Sequence, residues 1–87
     1  MAEQIDIPLL QAYVDAALAE LGVRNHGPGR VKARPDRHDP AKAWVRVHGL
    51  AGELEFASHL LALVQRRKWG VVLNGSHRYV TVIPWYR

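Results

Sequence analysis

The sequence predicts an α+β domain. Its sheet is antiparallel, with four to five short strands and two amphipathic helices on one face, in the order helix, strands, helix, hairpin. Three observations predict this. Apolar residues recur at three- and four-residue spacing over 8–22 and 50–68. Apolar and polar residues alternate over 43–48. Asn74-Gly75-Ser76 lies between two apolar runs, which is the turn chemistry of a hairpin. With 87 residues, the whole span 1–87 is expected to be one domain, with a basic, loop-rich segment at 23–42.

The first helix is predicted over 8–22. Asp6 can cap it, Pro8 fits the first turn, and Gly22 can stop it. Leu10, Tyr13, Val14, Ala17, Leu18 and Leu21 supply its apolar stripe. Asn25-His26-Gly27-Pro28-Gly29 is a turn cluster. Val31 and Ala33 alternate with Arg30, Lys32 and Arg34, as in a short half-exposed strand, and 35–40 reads as a proline-bounded loop. In 43–48, Val45 and Val47 share one face while Trp44, Arg46 and His48 share the other. The second helix is predicted over 50–68. Leu54, Ala57, Leu61 and Val64 form its central seam, widened by Leu50, Phe56, Leu60 and Leu63. Glu53 and Glu55 near its start, and Arg66, Arg67 and Lys68 near its end, complement the helix dipole, so the basic triplet needs no ligand to explain it.

Strands are predicted over 69–73 and 77–85. In the latter Val80 and Val82 share a face, opposite Tyr79, Thr81, Ile83 and Trp85. Helix residues Leu10, Val14, Leu18, Leu54, Leu61 and Val64 are expected to cover Val45, Val47, Val72, Val80 and Val82. A short internal repeat points to two helix-hairpin units: Gly22-Val23 and Gly70-Val71 each follow a helix, and Pro35 and Pro84 each follow a strand.

Composition narrows the function classes. Apolar residues make up 48% and charged residues 23%, too apolar for a disordered tail. No apolar run approaches a membrane span, and residues 1–7 lack the pattern of a signal peptide, so a cytoplasmic protein without a membrane partner is expected. There is no cysteine, which removes disulfides, thiolate catalysis and thiolate metal sites.

The net charge of +4 is unevenly spread. Residues 1–22 hold four acids and no Lys or Arg, whereas 23–48 hold seven bases and two acids. Such asymmetry favours a polyanion or an acidic protein surface as partner.

No motif specifies catalysis. The five histidines, His26, His38, His48, His59 and His77, show no helical metal-ligand spacing. Asp36, His38 and Asp39 could offer three ligands from one loop, but no metal and no cofactor is expected. Ser76 and His77 are adjacent on an extended segment and point to opposite sides, so a Ser–His dyad is not supported. A lone histidine acting on RNA needs only the ribose 2′-hydroxyl as nucleophile, and His48 and His77 are the candidates.

One segment resembles a known family. An amphipathic helix (Leu60 to Arg67), Trp69-Gly70, a strand, then Gly75-Ser76-His77 and Val80-Thr81-Val82-Ile83-Pro84 are similar to the corresponding run of HicA-type toxins. The match covers 60–84 only, and the family continues with a further strand and helix. The resemblance implies a double-stranded-RNA-binding-like fold and RNA cleavage by His77.

The principal functional expectation is a non-enzymatic, small, basic binding protein that docks on nucleic acid or on a nucleoprotein or protein complex. Arg24, Arg30, Lys32, Arg34, Arg37, Trp44, Arg46, His48, Arg78, Tyr79 and Trp85 are the candidate contact residues: cations neutralise phosphates and aromatics stack on unpaired bases. In size, lack of cysteine and lack of motifs the chain is also similar to phage-borne inhibitors such as anti-CRISPR proteins. The alternatives are a HicA-like ribonuclease and an oligomeric assembly protein, a homodimer in its simplest form, pairing through an edge at its C-terminal strand.

Overall fold

A computed structural model describes residues 4–47, 52–74 and 79–84. Helix α1 (Ile7–Glu20) leads to strands β1 (Ala33–Pro35) and β2 (Ala43–Arg46). Helix α2 (Glu53–Val64) continues into a 3-10 turn (Gln65–Arg67) and is followed by β3 (Trp69–Leu73) and β4 (Tyr79–Pro84). The four strands form one antiparallel sheet in the order β1-β2-β4-β3. Each helix therefore precedes its own two-stranded unit, and β2 and β4 join the units at the sheet centre.

The start and stop of α1 follow from its sequence. The Asp6 carboxylate accepts the Leu9 N–H at 3.1 Å, and Pro8 occupies the first turn, where its missing N–H removes no helical bond. Ile5, just before the cap, is buried in the same cluster as Leu10, the arrangement of a hydrophobic staple. At the other end the Val23 N–H donates to the Leu18 carbonyl and the Gly22 N–H to that of Ala19. This is a Schellman closure, and it requires Gly22 at φ +78°.

Register sorts the side chains. Ala33 pairs with Val45, Val45 with Val80, and Val80 with Leu73. These residues lie on the side covered by the helices. Arg34 pairs with Trp44, Trp44 with Thr81, and Thr81 with Val72. These lie on the opposite, open face. The core between helices and sheet contains Leu10, Val14 and Leu18 of α1, Phe56, Leu60 and Val64 of α2, and Val45, Val80 and Val82 of the sheet. Tyr13 meets Trp69 edge to face, with centroids 6.2 Å apart, and His59 Nδ1 lies 2.6 Å from Glu20 Oε2, so α1 also contacts β3 and α2 through side chains.

The predicted class and element order hold, with specific corrections. The buried seam of α2 is Phe56, Leu60 and Val64, whereas Leu54 is 63% exposed and Ala57 and Leu61 only partly covered. The helix is apolar over most of its circumference, so periodicity alone did not select the buried stripe. It also spans less than 50–68: the α-helix begins after Gly52, and Lys68 ends the 3-10 turn in the left-handed region at φ 59°. Val72 is 48% exposed on the open face, because the alternation within β3 turns Trp69, Val71 and Leu73 toward the helices.

Pro35 is the last residue of β1 rather than a loop residue. The C-terminal strand β4 is central, hydrogen-bonded on both sides, so pairing with another chain through that strand is excluded. The short repeat does not mark equivalent positions, since Gly22 closes a helix while Gly70 lies inside β3, although the two helix-hairpin units are present. The Gly75-Ser76 part of the expected turn, Leu50, His48, His77, Arg78 and Trp85 lie outside the described residues.

Candidate nucleic-acid interface

The open face of the sheet gathers part of the predicted contact set. Arg34 of β1 stands opposite Trp44 of β2, and Arg46 of β2 stands opposite Tyr79 of β4. Trp44 and Tyr79 lie diagonally across the β2–β4 pair and meet edge to face, with centroids 5.5 Å apart and planes at 80°. Arg34, Arg46 and Tyr79 are exposed and Trp44 is half-buried. Thr81, Ile83 and Val72 complete the surface. Among the described strand residues this face carries no acidic side chain.

Alternation places these groups together. In β2 the pattern Ala43-Trp44-Val45-Arg46 sends the alanine and valine into the core and the tryptophan and arginine outward. In β4 the same alternation sends Val80 and Val82 inward and Tyr79, Thr81 and Ile83 outward. Thr81 Oγ1 donates to Asn74 Oδ1 at 3.1 Å, tying the face to the end of β3. Lys32, immediately before β1, is exposed and adds a third cation beside Arg34.

The other candidates are placed elsewhere. Arg30 reaches back to Asp15 of α1, with Nη2 3.3 Å from Oδ2. Arg24 lines a groove with Asp15, Ala19 and Asn25 beside the C-terminal end of α1. Arg37 is exposed in the loop between β1 and β2. Arg66, Arg67 and Lys68 form a separate basic cluster with Asp6 and Gln4 where α2 meets β3. Val72 belongs to the open face rather than to the core expected from the sequence. Its neighbour Val71 is equally apolar, so only the pairing with Thr81 distinguishes them.

The loop that carries Asp36, His38 and Asp39 has a structural use for its carboxylates. Asp36 Oδ1 accepts the N–H groups of His38 at 2.8 Å and Asp39 at 3.0 Å. Asp39 Oδ1 accepts the Ala41 N–H at 3.0 Å, and its Oδ2 lies 3.8 Å from Lys42 Nζ. The hydrogen bond from the His38 backbone, above all, holds the Asp36 carboxyl below its ordinary value. Both aspartates thus organise the turn that returns the chain from β1 to β2. Among the described residues there is no cluster of histidine and carboxylate groups that could hold a metal ion, and no helix is long and apolar enough to cross a membrane.

No family model, curated protein or solved structure matches this chain.

Proposed function

We propose that the protein is a non-enzymatic binding protein that docks single-stranded nucleic acid on the open face of its sheet. The observation that carries this reading is the Trp44–Tyr79 pair, flanked in register by Arg34 and Arg46 on a face without acidic strand residues. A strand of nucleic acid laid on such a face meets aromatic rings for its bases and guanidinium groups for its phosphates. A duplex keeps its bases stacked on one another and leaves the rings without a partner.

The test is a fluorescence-anisotropy titration with labelled single-stranded RNA, single-stranded DNA and duplex DNA. Single strands are expected to bind more tightly than the duplex. With Lys32, Arg34 and Arg46 on phosphate, the affinity is expected to fall about 20-fold between about 50 and 200 mM salt. Equal or tighter binding of the duplex overturns the single-strand reading. Absence of binding at low salt overturns nucleic acid altogether and assigns the face to an acidic protein or nucleoprotein surface, as an inhibitor of anti-CRISPR type would use it. The labelled RNA is expected to remain intact. Cleavage that disappears in His77→Ala would favour the HicA-like reading instead.

A further inference from the structure

The two edges of the sheet differ, and the difference points to a second copy of this chain. The bond from the Asp36 N–H to the Lys42 carbonyl fixes the ladder between β1 and β2, so Val31, Ala33 and Pro35 turn their backbone groups outward. Side chains take up three of the five outward groups of that edge. Asn25 Oδ1 takes the Val31 N–H, Asn25 and Gln11 donate to the Val31 carbonyl, Gln11 Oε1 takes the Ala33 N–H, and Pro35 has no N–H to offer.

On the other side, the bond from the Asn74 N–H to the Tyr79 carbonyl fixes the ladder between β3 and β4. Trp69, Val71 and Leu73 therefore turn outward, and among the described residues nothing pairs with their backbone groups. The helices explain why. Gln11 is the fifth residue of α1 and Asp15 the ninth; the fifth and ninth residues of α2 are Ala57 and Leu61. Where one helix supplies polar groups that close a strand edge, the other supplies an apolar shelf, lined by Leu54, Ala57 and Leu61 together with Val71 and Leu73.

We propose that the protein dimerises through β3, pairing it antiparallel with β3 of a second copy about a two-fold axis at Val71. This register overlaps all five residues of the strand and sets outward-facing positions against each other: Val71 on Val71, and Trp69 on Leu73. It also reverses the two α2 helices, so the acidic first turn of one copy (Glu53, Glu55) comes to the end at which the other copy's helix runs into its basic 3-10 turn (Arg66, Arg67). That charge complementarity between the start of α2 and the 3-10 turn that follows it favours a second copy over an unrelated peptide strand. The axis is perpendicular to the sheet, so both open faces lie on one side of an eight-stranded sheet. The two Trp44 side chains are then about 24 Å apart, five strand spacings. The dimer stands independently of what the open face binds.

The experiment is sedimentation equilibrium from micromolar to near-millimolar concentration on three proteins: wild type, Val71→Pro and Leu54→Lys. Proline at 71 removes an N–H that makes no bond to β4, so it blocks the edge and spares the ladder. Lysine at the exposed position 54 charges the shelf without entering the core. The wild type is expected to approach twice its 9.8 kDa mass, and both variants to remain monomeric with native circular dichroism. A wild type monomeric throughout overturns the proposal, as does a folded Leu54→Lys protein that associates as strongly as wild type. If Val71→Pro does not fold, Leu54→Lys alone decides.

Discussion

Gln11 and Ala33 are joined by a hydrogen bond that makes a helix side chain the outer neighbour of a strand: the Ala33 N–H donates to Gln11 Oε1 at 2.8 Å. The same amide donates through Nε2 to the Val31 carbonyl and to Asp15 Oδ1, each at 3.0 Å. Replacing Gln11 with Ala leaves outward strand groups to water or to another chain. The variant is expected to lose about 1–3 kcal/mol of stability, the range for a lost hydrogen-bond partner at a part-buried group. Urea denaturation measures the loss, and faster amide exchange at Ala33 would locate it. An unchanged denaturation midpoint would mean that water closes this edge as well as Gln11 does.

The two leucines Leu54 and Leu60 share a helix and a residue type but not an environment. Leu60 is fully buried among core residues, whereas Leu54 is largely exposed. Leu60→Ala is expected to cost about 2–5 kcal/mol. Leu54→Ala is expected to change stability by less than about 0.5 kcal/mol, the range for a surface position. Chemical denaturation at low protein concentration checks both. Similar losses in the two variants would place the buried stripe of α2 elsewhere.

That contrast shows where the sequence was legible. Asp6, Pro8 and Gly22 mark the ends of α1 because capping chemistry is local, and the observed helix follows them. The alternation over Ala43–Arg46 and Tyr79–Pro84 assigned Trp44, Arg46 and Tyr79 to one face because period two leaves a single choice once the valines are buried. The stripe of α2 was not legible, since apolar residues surround most of that helix and only its packing against α1 and β3 selects Phe56, Leu60 and Val64. Nor was the closure of the β1 edge. Gln11 lies 22 residues before Ala33, and nothing in either neighbourhood signals that a helix amide will meet a strand N–H.

For the open face, the residues predicted to bind separate into two groups by position. Arg34→Ala and Arg46→Ala are each expected to weaken single-strand binding and to lower the salt slope by about 0.7, one phosphate contact apiece. Trp44→Ala removes a stacking surface and no charge. It is expected to cost about 1–3 kcal/mol of binding with the salt slope unchanged. Arg30, held by Asp15 on the α1 side, is the internal control: Arg30→Ala removes the same charge away from the open face and should leave the salt slope close to wild type. Anisotropy titrations at several salt concentrations read all four variants. A larger effect of Arg30→Ala than of Arg34→Ala would move the binding site off the open face.

Asp36 gives the molecule a local dependence on pH. Its carboxylate accepts the His38 and Asp39 N–H groups, and its pKa is lowered from 3.8, chiefly by the backbone hydrogen bond from His38. A carboxyl whose folded pKa is depressed stabilises the fold above its unfolded value and loses that contribution as pH falls through the folded one. The turn between β1 and β2 is therefore expected to hold at neutral pH and to loosen in acid below 3.8. The amide resonances of His38 and Asp39 should shift together as Asp36 is protonated, with a midpoint below that value. In Asp36→Asn the side-chain carbonyl can still accept both N–H groups but does not titrate, so the shared shift should disappear while the neutral-pH spectrum of the loop is retained. A midpoint above 3.8, or a shift that persists in Asp36→Asn, would show that another group controls this turn.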